Sequence, residues 1–492
     1  MAGKPLQEFN LFINGKEAKG RGPREETLNP YTGKPWATVA QASVEDVDEA
    51  VKAALAASLS WGRTTGYHRS KLMLRLSDLI EEEAENLSTI ESLDNGKIRR
   101  ETKAQMHFAA RCYRFFAGMA DKLVGEVKPM DNPSVFDYTL REPYGVCALI
   151  TPWNSPVAIL ANKLAPCLAT GNTAVVKPSE FTTASTCYFA KIVERAGFPP
   201  GVFNVVSGKS DIGRALVTHP GVSRVSFTGS VGVGRIIARQ AAENIVPAIL
   251  ELGGKSANII LDDANLDRAI PGCVAGIFAA SGQTCIAGSR LLVHRSIQDK
   301  VVEGIAASIK NIKFGDPLDL TTDMGPVAHQ GQRESILRHI DQAEQDGAKL
   351  VAGGRAASDE LGGLCVAPTI FTNVDPKASL AQTEVFGPVL AVIPFDTEDE
   401  AVQIANGTMF GLAAGVWTNN LRRAHTFAAR IKAGQVWVNT YRSAAAMAPF
   451  GGLGQSGVGK ERGTEALLEY TRVKNVMIDL SDDVRDPFMM KV

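Results

Sequence analysis

The segment GQTCIAGSR (residues 282–290) sets one thiol, Cys285, on a glycine-rich turn between a helix of small residues (274–280) and a strand. A thiol so placed is accessible and near backbone amides, surroundings that favour the thiolate and hence a nucleophile. A cysteine with no such context is usually a small buried apolar residue. LELGGK (250–255) puts the carboxylate of Glu251 just past an apolar strand. Desolvation there raises its pKa and suits it to general-base work, although turn amides alone can also satisfy such a carboxylate. TPWNSP (151–156) stiffens Asn154 between two prolines, so that its amide can donate to a developing oxyanion. In KPSE (177–180), Lys177 and Glu180 are spaced to reach the hydroxyls of one ribose, and the carboxylate disfavours an added 2′-phosphate. EVFGP (384–388) places Glu384 beside the aromatic Phe386 in a turn.

These side chains need elements to hold them. Apolar runs at 146–150, 173–176, 202–206, 225–227 and 248–250 each end at one of the polar segments, with a helix fitting each gap. The helix at 183–196 is stopped by Gly197. Strands alternating with helices predict a parallel sheet with right-handed crossovers, and ligands bind such sheets beyond the carboxyl ends of the strands. GSVGVG (229–234), carrying Gly229 and Ser230, is the nearest approach to a dinucleotide phosphate turn, with spacing that differs from GxGxxG. Strands at 291–294, 389–393, 413–417 and 435–439, with helices between them, predict a second α/β domain. Residues 1–120 read as largely helical, including 44–58, 68–94 and 101–118. The segments 134–141 and 473–480 are β-prone and fit neither body, so they are expected to pair as an outlying arm for subunit contact.

Composition narrows the class. The chain has 492 residues, enough for two to four domains and a large core. Fifty-two Lys and Arg against 53 Asp and Glu argue against nucleic-acid binding, which needs a basic excess. No apolar run approaches membrane-spanning length, and residues 1–20 lack a signal-peptide pattern, so a cytoplasmic protein is expected. The seven cysteines form no CxxC pair and the seven histidines no HExxH, which leaves metal binding unsupported.

Taken in order, PWN, KPSE, FTGS, ELGGK, GQTCxAGSR, EVFGP and PFGGLGQSG resemble the aldehyde dehydrogenase superfamily, from Pro152 to Gly457. The resemblance implies two doubly wound, Rossmann-like α/β domains with a small β oligomerisation arm. It places dinucleotide binding in 1–123 and 142–253, catalysis in 254–464, and the arm in 124–141 and 465–492. It makes Cys285 the nucleophile, Glu251 the general base, and Asn154 with the Cys285 amide the oxyanion hole. It assigns Trp153, Lys177, Glu180, Gly229, Ser230, Leu252, Glu384 and Phe386 to cofactor binding, and sets Glu461 near the water path. NAD is expected over NADP, with self-association to a homodimer or homotetramer.

The chemistry so implied is oxidation of an aldehyde through a cysteine thiohemiacetal and thioester, followed by hydrolysis. Coenzyme A-acylating relatives typically lack the carboxylate found here at Glu251, which favours water as the acyl acceptor. A non-catalytic descendant would be expected to have lost Cys285 or Glu251. The substrate tunnel implied by the resemblance includes Ser155, Ile159, Asn162, Thr284, Ile286 and the loop 441–447, small or polar where aromatics are frequent. Arg442 in that loop is either an anion site for a carboxylated aldehyde, a semialdehyde, or a cation that faces solvent or a neighbouring subunit.

Overall fold

The computed structural model describes residues 6–484 and 486–489; residues 1–5, 485 and 490–492, at the outer ends of the expected 1–123 and 465–492 segments, lie outside the described residues. The five apolar runs of the middle third form parallel strands β1 (Val146–Ile150), β2 (Thr173–Lys177), β3 (Phe203–Val205), β4 (Arg224–Thr228) and β5 (Ala248–Glu251). Their order across the sheet is β5-β4-β1-β2-β3, so the winding reverses between β1 and β4. β1 and β2 are buried along their whole length, which is why they read as unbroken apolar runs rather than alternating ones. The short strands Leu11–Ile13, Lys16–Ala18 and Gly457–Val458 extend the sheet at its two edges.

After Glu251 the chain crosses to a second sheet within a few residues. Its parallel strands are β6 (Ala257–Ile260), β7 (Arg290–His294), β8 (Thr369–Thr372), β9 (Val389–Phe395), β10 (Ala413–Trp417) and β11 (Gln435–Val438), ordered β8-β9-β7-β6-β10-β11. Both sheets are doubly wound, as expected. β6 and β8 are strands that the sequence pattern did not single out. They are only four residues long and flanked by polar or proline-rich segments that hide their period.

The opening segment departs from the expectation of helix. Gln7–Phe9, Leu11–Ile13, Lys16–Ala18, Arg24–Leu28 and Pro35–Ala40 are strands, most of them short and largely polar, so no apolar alternation marks them. The helix expected at 68–94 is two helices, Gly66–Glu82 and Ala84–Asn95, broken at Glu83, where ψ is 7°. The second ends on left-handed Gly96. Below them the helix Arg99–Met119 buries Met106, Tyr113 and Phe116 in the largest apolar core, against Pro156–Ala169.

The arm forms as expected. Val135–Pro143 and Thr471–Asp479 pair antiparallel along nine residues each, with Val127–Lys128 on the inner edge. Val473 and Met477 are exposed on the outer strand, whose far edge has no partner within the described residues of the chain. Asn172 ties this arm to the first sheet. Its Oδ1 accepts from the Gly145 N–H (2.9 Å), while its Nδ2 donates to the Tyr470 carbonyl (2.8 Å). Asn172→Leu leaves the buried Tyr470 carbonyl and the part-buried Gly145 N–H unpaired, so it should cost about 1–3 kcal/mol, read as a lowered denaturation midpoint in urea with an unchanged slope. A midpoint equal to wild type would remove Asn172 as the tie.

Candidate active site

Polar residues follow the carboxyl ends of β1, β2, β4 and β5, where the winding reversal opens a crevice between the two sheets. The crevice has a volume of about 240 Å³ and is lined by Trp153, Asn154, Gly229, Ser230, Leu252, Cys285, Glu384 and Phe386, among others. Lys177, Glu180 and Glu251 lie outside this lining. Lys177 is buried at the end of β2, Glu180 is exposed at the rim, and Glu251 is 2% exposed behind the crevice.

Cys285 is half-buried, the one cysteine of the seven that is not sealed in the interior. The turn that presents it is strained: Ala280, Ser281 and Gly282 are left-handed in succession, with φ of 53°, 53° and 71°. Such conformations persist where surrounding contacts over-determine them. Here Ser281 Oγ donates to the Gly325 carbonyl (2.8 Å), and a Cβ on Gly282 would lie 2.2 Å from the Gly387 carbonyl carbon. Asn154 Nδ2 donates to the Gln283 carbonyl (2.9 Å), which docks the proline-stiffened loop onto the cysteine turn and leaves one amide hydrogen for another acceptor. Lys97 Nζ holds the backbone carbonyl of Asn154 and the Ser155 hydroxyl (2.6 Å) from below.

The electrostatics differ from expectation at the thiol. Burial, then the carboxyls of Glu384 and Glu251, push the Cys285 thiol up to about 12, against a smaller lowering by Arg462 and by its own backbone amide. The glycine-rich turn therefore does not by itself favour a thiolate, because burial, with the neighbouring acids, outweighs the amides. At Glu251 the expectation holds: burial and then Glu461 raise its pKa well above the carboxylate range, and neither carboxyl oxygen has a hydrogen-bond partner. Glu461 is bonded to Lys163 Nζ (2.6 Å), both buried.

Along the crevice, Ser230 caps the helix Val231–Glu243, accepting from the Val233 N–H (3.4 Å), so the positive end of that helix faces the space beside Gly229. Glu384 accepts from the Gly254 N–H (3.1 Å), and burial raises its carboxyl to about 7. Phe386 is left-handed (φ 54°) and meets Trp153 edge-on at 5.2 Å. Trp153 also meets His329, which stacks on Phe181 at 4.0 Å. Lys177 Nζ donates to the Pro178 carbonyl (3.0 Å) and is in no ion pair among the described residues, which leaves ammonium hydrogens for a ligand. A helix N-terminus, a groove edged by glycines and a carboxylate opposite together fit a dinucleotide.

The profile of the aldehyde dehydrogenase family matches residues 17–476. The chain belongs to the aldehyde dehydrogenase family. It is 44% identical over 492 residues to the (Z)-2-((N-methylformamido)methylene)-5-hydroxybutyrolactone dehydrogenase of Acinetobacter baylyi, covering 99% of this chain and 100% of that one. Among solved structures, a putative aldehyde dehydrogenase from Burkholderia cenocepacia superposes with a TM-score of 0.95 at 42% identity, covering 98% and 100% of the two chains. The NAD+ complex of the aldehyde dehydrogenase from Bacillus cereus superposes with a TM-score of 0.94 at 43% identity, covering 96% and 97%.

In this aldehyde dehydrogenase Arg442 is not a free anion site. Its Nη2 is paired with Glu101 (2.6 Å) on the same chain and its Nη1 donates to the Ala275 carbonyl (3.3 Å), with the side chain still 21% exposed. Several residues at the site carried no sequence signal. Gln332 Nε2 ties the carbonyls of Val385 (3.1 Å) and Phe386 (3.0 Å), and Lys97, His329 and Arg462 sit among polar residues that read as solvated helix or loop.

The raised thiol has a direct consequence. Alkylation of Cys285 by iodoacetamide in the cofactor-free enzyme should rise by about tenfold per pH unit through pH 9, following the thiolate fraction. A plateau below pH 8, measured by mass spectrometry of the modified peptide, would contradict the environment described.

Proposed function

We propose that this enzyme oxidises an aldehyde to the carboxylic acid with NAD, using Cys285 as nucleophile and Glu251 as the base that delivers water. The observation that carries the reading is the convergence on Cys285: a half-exposed thiol on a strained turn, docked to Asn154, with the buried carboxyl of Glu251 in electrostatic contact. Attack on the carbonyl gives a thiohemiacetal, whose oxyanion takes the free Asn154 amide hydrogen and the Cys285 N–H. Bound NAD would supply the hydride acceptor for that carbon. Glu251 then removes a proton from water, which attacks the thioester and releases the acid. Its raised pKa makes it a strong base once ionised, so hydrolysis is lost as pH falls through that value.

Trp153, Gly229, Ser230, Leu252, Glu384 and Phe386 would hold the nicotinamide half and the pyrophosphate. Lys177 and Glu180 at the end of β2 would hold the adenosine ribose. The Bacillus cereus relative, solved as an NAD+ complex, supports the same use of the crevice here. We assign 1–123 and 142–253 to dinucleotide binding, 254–464 to catalysis, and 124–141 with 465–492 to assembly into a homodimer or homotetramer; the exposed Val473 and Met477 on an unpaired edge support the last. A cytoplasmic setting is supported by seven unpaired cysteines and by the lack, among the described residues, of a helix long and apolar enough to cross a membrane.

Cys285→Ala should abolish NADH formation while retaining NAD binding in a fluorescence titration; retained turnover would remove the covalent route. Glu251→Gln should keep the first burst of NADH and lose about 10²–10⁴ in steady-state rate. Normal steady-state turnover would take Glu251 out of the base role. Wild type should prefer NAD over NADP, and Glu180→Gln should narrow that preference, because a carboxylate near the 2′-position repels a phosphate. A wild-type preference for NADP would show that Glu180 turns away.

A further inference from the structure

Arg462 is 9% exposed, and none of its guanidinium nitrogens has a hydrogen-bond or ion-pair partner among the described residues. Its Nε is sealed from solvent, whereas the terminal amino groups are not. Aromatic rings flank it: the guanidinium carbon lies 4.4 Å from the centroid of Phe450 and 5.2 Å from that of Phe108. An unpaired guanidinium in such a place is costly unless something neutralises it. The nearby acids do not bond it. Glu461 is bonded to Lys163, and neither carboxyl oxygen of Glu251 makes a hydrogen bond. Arg442, by contrast, has its carboxylate in Glu101.

A second donor faces the same place. Phe108 and Cys112 are one turn apart on Arg99–Met119, and the Cys112 thiol donates to Asn162 Oδ1 (3.7 Å). The Asn162 amide nitrogen is then left with no partner of its own and is not sealed from solvent. Asn162 precedes Lys163, whose ammonium holds Glu461, the neighbour of Arg462. One turn earlier on the helix of Asn162, Ile159 lines the crevice with Cys285. Arg462 is in electrostatic reach of Cys285, and the two unpaired donors lie beyond Ile159 with the rings of Phe450 and Phe108 beside the guanidinium; of the acids that also reach it, Glu461 is paired with Lys163 and Glu251 makes no hydrogen bond.

We infer that Arg462 and Asn162 form a subsite for a carboxylate at the far end of the substrate, so that the enzyme acts on short semialdehydes. The inference rests on the aldehyde-oxidising reading above and deepens it. The guanidinium offers a planar fork to the carboxylate oxygens, and the anion supplies the charge that the empty site lacks.

The test compares succinic semialdehyde with butanal, which has the same chain length without the carboxylate. Wild type should favour succinic semialdehyde in kcat/KM. Arg462→Met should lower the ratio of the two values by about ten- to a hundredfold, with Arg462→Lys between them and Asn162→Leu a smaller loss. Propionate should compete with succinic semialdehyde in the wild-type enzyme where propionamide does not, a reading that needs no variant. Equal use of the two aldehydes by wild type, an equal loss on both in Arg462→Met, or matched inhibition by propionate and propionamide would each overturn the subsite. NADH from butanal alone would do the same and leave the aldehyde-oxidising reading intact, whereas NADH from neither aldehyde would defeat that reading itself.

Discussion

The chain passes from one sheet to the other through Gly253 and Gly254, and the rest of the site depends on how closely its backbone is approached there. A Cβ on Gly253 would lie 1.9 Å from Glu384 Oε2, and one on Gly254 would lie 2.6 Å from the Cys285 carbonyl oxygen. Only bare backbone lets the end of β5, the turn of Cys285 and the Glu384 loop meet. The same closeness lets the Gly254 N–H bind Glu384 and keeps Glu251, just before the crossing, out of water. Geometry and electrostatics therefore have one origin: the contact that aligns the acids also desolvates them.

That desolvation sets an order of events. The thiol, the Glu251 carboxyl and the Glu384 carboxyl are all shifted towards their neutral forms, chiefly by burial, with Glu461 adding to the shift at Glu251 and the two carboxyls adding to it at the thiol. Two anions within such a volume would repel strongly, so ionising these groups together is disfavoured. A ligand that brings positive charge or donors into the crevice lowers the cost of ionising the thiol.

The parallel core and the arm were legible because they repeat a simple pattern. β1 to β5 are apolar runs ended by polar turns, and the arm strands alternate outside both bodies. Cys285, Asn154 and Glu251 stood out through their short motifs, and Trp153, Lys177, Glu180 and Ser230 did so at or just past the ends of the same strands. The polar opening strands were not legible, because Arg24–Leu28 presents no face that a core would demand. Nor was the thiol's environment, which depends on Glu384, far away in the chain. His329 and Gln332 act across the crevice by stacking and by holding carbonyls, and neither contact leaves a local pattern.

Two arginines show where local pattern misleads. Arg442 follows an apolar strand into the expected tunnel loop, yet it is satisfied by Glu101 and its charge is spent on structure. Arg462 sits in GKERG among glycines and other charges, the composition of a solvated turn, and is buried against two rings without a partner. The difference comes from the antiparallel bridge between Phe450 and Glu461, whose mutual N–H to carbonyl bonds (2.6 and 2.7 Å) fold GKERG back under PFGG. That fold-back points Glu461 at Lys163 and carries the next residue inward with it. A guanidinium left without a hydrogen-bond partner among the described residues, in electrostatic reach of Cys285, is a group that an anionic end of a ligand can meet.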